Sequence, residues 1–361
     1  MEPYFTDMFY NPSASYAGGR QAKVALETAR ERAGLVLGAK ANDILFTAGA
    51  TESINLAILG AVPAEGHVVI SGVEHPAVRE VARQRTCALA QVDSRGLVTP
   101  ESVKEVLTDE TMLVSVALAD NEFGTVQPIA DIARMLEAVR EERRAQGNTT
   151  PLYFHADGSQ AALSLDIKVS RLGVDMLTLN AGKSYGPKQV GLLWVKPHIR
   201  LSPLVYGGGQ ERSLRSGTEN VPGAVGFALA LELAQQQRHE ENNRLRAMRT
   251  KLIARLEEKL PDMVVDGHPK RHLPGHIHIH IAGLDAERVV FHLDNEGIYI
   301  ATGAACAANK ATRSPSLEAV GLSPEEADGS LRITLGHLNT EEDIPYIAEH
   351  LIAAIDAERG L

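Results

Sequence analysis

The chain has 361 residues, 44% hydrophobic and 23% charged, a length and balance suited to one large domain with a smaller companion. Its formal net charge of −10 argues against a nucleic-acid or anionic-membrane surface as the main interface, and leaves room for a small anionic substrate. Two cysteines, Cys87 and Cys306, lie far apart without CxxC or CxxH spacing, so neither a disulfide framework nor a metal site is expected, and the cytoplasm is the natural compartment. No apolar run approaches the roughly 20 residues that span a bilayer, and the N-terminus carries neither a basic region nor an apolar core, so no membrane partner is expected.

Along 20–39, Val24, Ala25, Ala29, Ala33, Val36 and Leu37 recur at helical spacing and predict an amphipathic helix. Residues 44–47 predict a short strand, followed by a glycine turn, Thr51 and a helix to Gly60. Strand, glycine turn, hydroxyl and helix start make an anion cradle, with Thr51 as a simple N-cap the plainer alternative. A strand at 68–71 leads to Glu74, His75 and a helix from Pro76, and Thr99 with Pro100 opens another. The apolar run 112–118 predicts a strand covered on both faces. A helix over 129–144, with the solvated face 140–144, returns the chain to a strand at 152–157. The stretch 175–180 alternates like a buried strand, Gly186 and Pro187 force a turn, and 190–195 is apolar again.

This alternation predicts an α/β sheet, in which Thr51, His75, Asn121, Asp157 and Lys183 gather at the carboxyl edge where ligands bind. A lysine leaving a buried strand is suited to covalent capture of a carbonyl cofactor, the alternative being a side chain that reaches solvent. The stretch 212–219 is too polar for core and too rich in arginine for an idle linker. A long helix over 221–260 then leads into strands at 276–281, 298–301 and 330–335, a helix from Asp285, and a last helix capped by Thr340 with Asp343. His276, His278 and His280 share a strand face, but alternate residues about 7 Å apart do not converge on one ion, so a polar face is expected. Cys87 reads as an inert thiol.

Together the segments TAGATESIN at 47–55, VEHPAV at 73–78, DNEFGTVQ at 120–127, HADGSQ at 155–160, KSYGPK at 183–188, GGGQER at 207–212, RSGT at 215–218 and GAAC at 303–306 resemble the ordered landmarks of the NifS/IscS-like cysteine desulfurases, class V aminotransferase-like enzymes. The resemblance runs from about Phe9 to the end and implies the PLP-dependent transferase fold type I: a large, mostly parallel mixed-sheet α/β domain over 12–228, and a smaller α+β domain over 229–361 with 1–11. It implies pyridoxal 5′-phosphate (PLP) held covalently by Lys183, which also moves the Cα proton. Asp157 pairs with the ring nitrogen, Gln160 with O3′, and His75 stacks on the ring and relays protons. Ala50 and Thr51 hold the phosphate, joined by Thr218 from the partner of a homodimer with shared active sites. Arg332 and Asn11 meet the substrate carboxylate, Asn121 approaches that carboxylate or the cofactor ring oxygen, and Cys306 takes sulfur from L-cysteine as a persulfide for an acceptor protein in iron-sulfur assembly or thiolation, leaving L-alanine. The spacing from Cys306 to Gly321 resembles the branch with a long loop. A selenocysteine lyase or aminotransferase-like enzyme, or a catalytically impaired assembly protein, are the alternatives. Three features depart from the pattern: Asn180 and Gly182 replace a serine and a histidine that normally grip the phosphate, with Asn180 the expected substitute; Tyr16 replaces a histidine; and the family's N-terminal strand is absent.

Overall fold

The structure, a computed structural model, describes residues 1–303 and 313–360. By its contacts the chain divides into two compact units: 1–90, 99–118 and 128–238 form the first, and 91–98, 119–127 and 239–361 the second. Residues 1–11, expected with the smaller unit, fall in the larger, where the Tyr10 ring lies against Gly18 and Met1 against Gly226.

The first unit contains α1 (Pro3–Thr6), α2 (Ala17–Leu37), β1 (Ile44–Thr47), α3 (Ala50–Ala61), β2 (His67–Ser71), α4 (Pro76–Ala82), β3 (Thr86–Ala90), α5 (Pro100–Glu105), β4 (Thr111–Ser115), α6 (Ile129–Ala145), β5 (Tyr153–Asp157), α7 (Val169–Leu172), β6 (Met176–Asn180), β7 (Gly191–Val195) and the start of α8 (Val221–Lys259). Its seven-stranded sheet has the order β1-β7-β6-β5-β4-β2-β3. Only β7 is antiparallel to its neighbours, so the other six strands end at one edge. Strands β1, β2 and β7 are buried along their whole length, as the apolar runs require of a sheet covered on both faces. Leu56, Ile58, Val78 and Val81 join Val68, Ile70 and Leu193 in one core. Helix α2 stops where Gly38 takes the left-handed conformation (φ 64°) and its N–H returns to Gly34 and Leu35. Strand β3 has no counterpart in the sequence reading, because its burial is uneven; it places Cys87 half-buried on an edge strand, where burial pushes the thiol pKa up.

The expected solvated face of α6 needs correcting. Arg143 is buried and donates to the carbonyls of Thr111 and Thr108, while Arg140 donates to Leu152 O and pairs with Asp175. Asp175 also accepts Phe154 N–H at 2.8 Å and pairs with Lys196 at 2.5 Å, so one buried carboxylate fastens β5, β6 and β7 at the edge away from the candidate site. Beneath that site His155 joins three strands, bonding to Ser115 Oγ at 2.8 Å through Nδ1 and to Thr178 Oγ1 at 2.9 Å through Nε2. Burial lowers its pKa to about 3, so it stays neutral.

In the second unit β8 (Val264–Val265), β9 (His276–His280), α9 (Ala286–Asn295), β10 (Ala301–Thr302), α10 (Pro315–Ala319), α11 (Pro324–Asp328), β11 (Ser330–Thr334) and α12 (Asp343–Glu358) surround an antiparallel sheet of order β10-β11-β9-β8. Ile277, Ile279, Leu331 and Ile333 pack with Val289, Leu293, Ile344 and Leu351. Helix α12 begins at Asp343, whose carboxylate accepts Thr340 N–H; Thr340 does not cap it. His278 and His280, on the opposite face of β9 from its isoleucines, are both buried and bond to Asp266 at 2.8 and 2.9 Å.

Candidate active site

The carboxyl edge of the large sheet collects the polar residues of the first unit. At the end of β1, Thr47 Oγ1 meets Ser53 Oγ at 2.7 Å and donates to Gly49 O, which tightens the turn into α3. Gly49 is the N-cap, at φ 147°, and Thr51 lies inside the first turn, so Thr51 is not the cap. A glycine cap has no side chain to satisfy the first amides, and the start of α3 keeps its N–H groups and dipole for an anion. Gly191 makes this turn possible: a Cβ there would lie 2.5 Å from the Gly49 carbonyl carbon. In the sheet register Gly191 pairs with Thr47 on one side and Asn180 on the other.

After Asn180 the chain makes a 3-10 turn, Ala181–Lys183. Asn180 Oδ1 accepts Gly182 N–H at 3.1 Å and caps this turn. Its oxygen is therefore occupied, and its NH2 group is what remains to meet an anion. Lys183 is exposed, beyond the buried part of β6 rather than within it.

Asp157, at the end of β5, is 7% exposed and accepts Ser159 N–H at 2.9 Å. Burial raises its pKa, against the lowering effect of Ser159 and of nearby His75. A cationic N–H partner would reverse that penalty. Gln160 is half-buried just beyond. His75 caps α4: its Nδ1 accepts Ala77 N–H at 3.0 Å, which leaves Nε2 as the protonated nitrogen of the neutral ring.

Glu74, before His75, is a buried group the sequence reading passed over. Its Oε1 accepts Ser71 Oγ–H at 2.6 Å and Ala117 N–H at 2.9 Å, and Oε2 has no partner among the described residues. Burial first, then the like charge of Asp157, pushes its pKa from 4.5 up to about 7. A proton on Oε2 resolves both the burial and the repulsion.

Thr218 is exposed, following a stretch in which Glu211, Arg212 and Ser213 all have positive φ. Three such non-glycine residues in succession are strained. They are held by a two-point pair of Arg30 with Glu211, both contacts 2.7 Å, and by Phe46 N–H donating to Glu211. Arg215 pairs with Glu52 of α3 at 2.9 Å, which ties the segment to the anion cradle. Asn11 is exposed and closes a turn by accepting Ser13 N–H through Oδ1.

In the second unit, Asp120 is buried and accepts three backbone N–H groups, from Glu122, Phe123 and Thr125, at 2.7 to 2.9 Å. Burial raises its pKa to about 6 in spite of them. The turn so formed presents Asn121, whose carbonyl accepts Arg332 N–H at 3.1 Å. Arg332 is half-buried on β11 opposite His278. Cys306 lies outside the described residues.

The chain matches the family model for aminotransferase class-V over residues 1–347. It is 39% identical to a Clostridium botulinum protein named cysteine desulfurase IscS, covering 100% of this chain and 91% of that protein. A second relative, cysteine desulfurase IscS 1 of Archaeoglobus fulgidus, is 37% identical over 100% of this chain and 94% of its own. A solved structure titled NifS-like protein superposes with a TM-score of 0.89 at 29% identity, covering 99% of this chain and 94% of that one.

Proposed function

The chain belongs to the aminotransferase class-V family, and from that premise we propose that it is a PLP-dependent cysteine desulfurase, turning L-cysteine into L-alanine and collecting the sulfur on Cys306. The observation that carries the reading is the shared sheet edge in the first unit: free amides at the start of α3, the buried acceptor Asp157 and the exposed amine of Lys183. An anion cradle, an acceptor that gains from an N–H⁺ partner and a free amine fit the phosphate, ring nitrogen and aldehyde of PLP. When bound, the cofactor supplies an electron sink for the substrate's Cα.

The residues divide the work as follows. Ala50 and Thr51 N–H groups, the Thr51 hydroxyl and the Asn180 amide bind the phosphate, and Thr218 of a second copy completes it, which makes the enzyme a homodimer. Asp157 keeps the ring nitrogen protonated, Gln160 donates to O3′, and His75 covers the ring with Nε2 as its proton-carrying atom. Lys183 holds the cofactor and moves the Cα proton. Arg332 clamps the substrate carboxylate, with one N–H already spent on Asn121 O to fix its orientation, and Asn11 assists. The Cys306 thiolate attacks the substrate Sγ: a sulfur–sulfur bond forms, the Cβ–Sγ bond breaks, and its electron pair stays on carbon, where a proton completes alanine. The larger unit serves as the PLP domain and the smaller carries Cys306. The persulfide then goes to an acceptor protein of iron-sulfur assembly or thiolation. No described helix is long and apolar enough to cross a membrane.

The test is incubation with L-cysteine. Alanine should appear together with one added sulfur on Cys306. Alanine from selenocysteine but not from cysteine would mark a selenocysteine lyase instead.

A further inference from the structure

Strand β2 ends at Ser71, whereas the chain leaving its neighbour β4 stays beside β5. There Val116 N–H donates to His155 O at 3.1 Å and Leu118 N–H to Asp157 O at 2.9 Å. Amides alternate in direction along an extended chain, so Ala117 N–H turns to the other side, where β2 has already stopped. Its acceptor is the Glu74 carboxyl: Oε1 takes Ala117 N–H at 2.9 Å and Ser71 Oγ–H at 2.6 Å. The backbone of the loop between Ser71 and α4 is held separately. Gly72 N–H donates to Ala90 O at 2.9 Å, and the Arg79 guanidinium of α4 donates to Gly72 O and Glu74 O. A carboxyl that is 1% exposed, with Oε2 lacking a partner among the described residues, is a costly acceptor for one strand amide. What the arrangement fixes is the residue that follows it, His75, whose ring is turned by its bond to Ala77 N–H and lies near enough to Asp157 to act on its charge.

We propose that Glu74 is a positioning residue that holds His75 in register with Asp157. The link is short: Glu74 Oε1 accepts Ala117 N–H, and the next amide, Leu118 N–H, donates to Asp157 O. The carboxyl thereby fastens the loop that carries His75 to the segment that runs down to Asp157, and replaces the ladder bond that β2 no longer supplies. The inference rests on the desulfurase reading, which places His75 over the cofactor ring and Asp157 at its nitrogen. It assigns Glu74 to the orientation of that ring, through His75 and without contact of its own.

The experiment takes two readouts on the holoenzyme: the visible circular dichroism per bound PLP, which reports how the ring is held, and kcat for alanine formation from L-cysteine. Each Glu74 and Ser71 variant is made alone and together with His75→Ala. Glu74→Ala should cut the dichroism to about half or less and kcat about tenfold, since both donors lose their acceptor, and Ser71→Ala should lower kcat about threefold. Glu74→Gln, whose amide oxygen still accepts both donors, should stay within about twofold of wild type. In the His75→Ala background none of these changes should move either readout by more than about twofold, because the effect passes through His75. Wild-type dichroism and kcat in Glu74→Ala, or losses of the same size with and without His75, overturn the inference. Should Glu74→Ala not fold, Ser71→Ala with and without His75→Ala decides by the same criteria. If wild type binds PLP yet forms no alanine, the desulfurase reading falls and the dichroism still decides the inference; if it binds no PLP, both fall.

Discussion

Glu74 gives a stability prediction whose sign follows from its surroundings. With its folded-state pKa raised from 4.5 to about 7, the carboxyl holds its proton more tightly in the folded than in the unfolded protein. The corresponding stability is fully present below about pH 4.5 and is lost as pH rises through about 7. The difference between those pKa values corresponds to about 3 kcal/mol. A PLP ring nitrogen paired with Asp157 removes the like-charge part and leaves burial, the larger cause. Glu74→Gln keeps an oxygen for Ser71 and Ala117 and cannot ionise, so whatever it costs is the same at every pH. Asp120, raised in the same direction, is present in both proteins and cancels in the comparison. Urea denaturation of the two holoenzymes at intervals from pH 5 to 8 should show Glu74→Gln gaining on wild type by up to about 3 kcal/mol as pH rises. Parallel pH profiles would refute the reasoning.

Asp120→Ala removes the acceptor of three backbone N–H groups and should cost about 2–4 kcal/mol by urea titration; a loss below about 0.5 kcal/mol would show that the turn holds without it. Gly191→Ala forces the Gly49 turn to move and should weaken PLP retention at least about tenfold, read by cofactor loss on dilution; unchanged retention would separate that turn from the phosphate. Lys183→Ala should abolish the visible absorbance of lysine-bound PLP and cut alanine production by about a thousandfold or more; near-normal turnover would remove the lysine from the chemistry.

The parts of this fold written locally were legible in the chain. Apolar runs placed β1, β2, β5, β6 and β7, and Gly49 before Thr51 and Thr99 before Pro100 marked helix starts. The candidate cofactor residues were named through the order of short motifs, and the structure places Asp157 and Asn180 among them at strand ends. What escaped depends on partners distant in sequence. Arg140 and Arg143 look like solvent charges beside their helix neighbours, and only the folded chain brings Asp175 and Thr111 to them. Asp120 and Glu122 stood next to Asn121 without distinction, since a carboxylate that organises a turn and one in solvent read alike in sequence. His276, His278 and His280 were legible as one strand face, but the burial of His278 and His280 against Asp266 needed the fold to bring a carboxylate to them.

The central claim is that sulfur leaves L-cysteine for Cys306. Mass spectrometry of the purified holoenzyme after exposure to L-cysteine, with alanine quantified alongside, tests it most directly. One sulfur atom on Cys306 per alanine formed in a single turnover, and no alanine from Cys306→Ala, is the expected result. Alanine released at the full rate by Cys306→Ala, or formed by wild type with no sulfur on Cys306, would contradict the account.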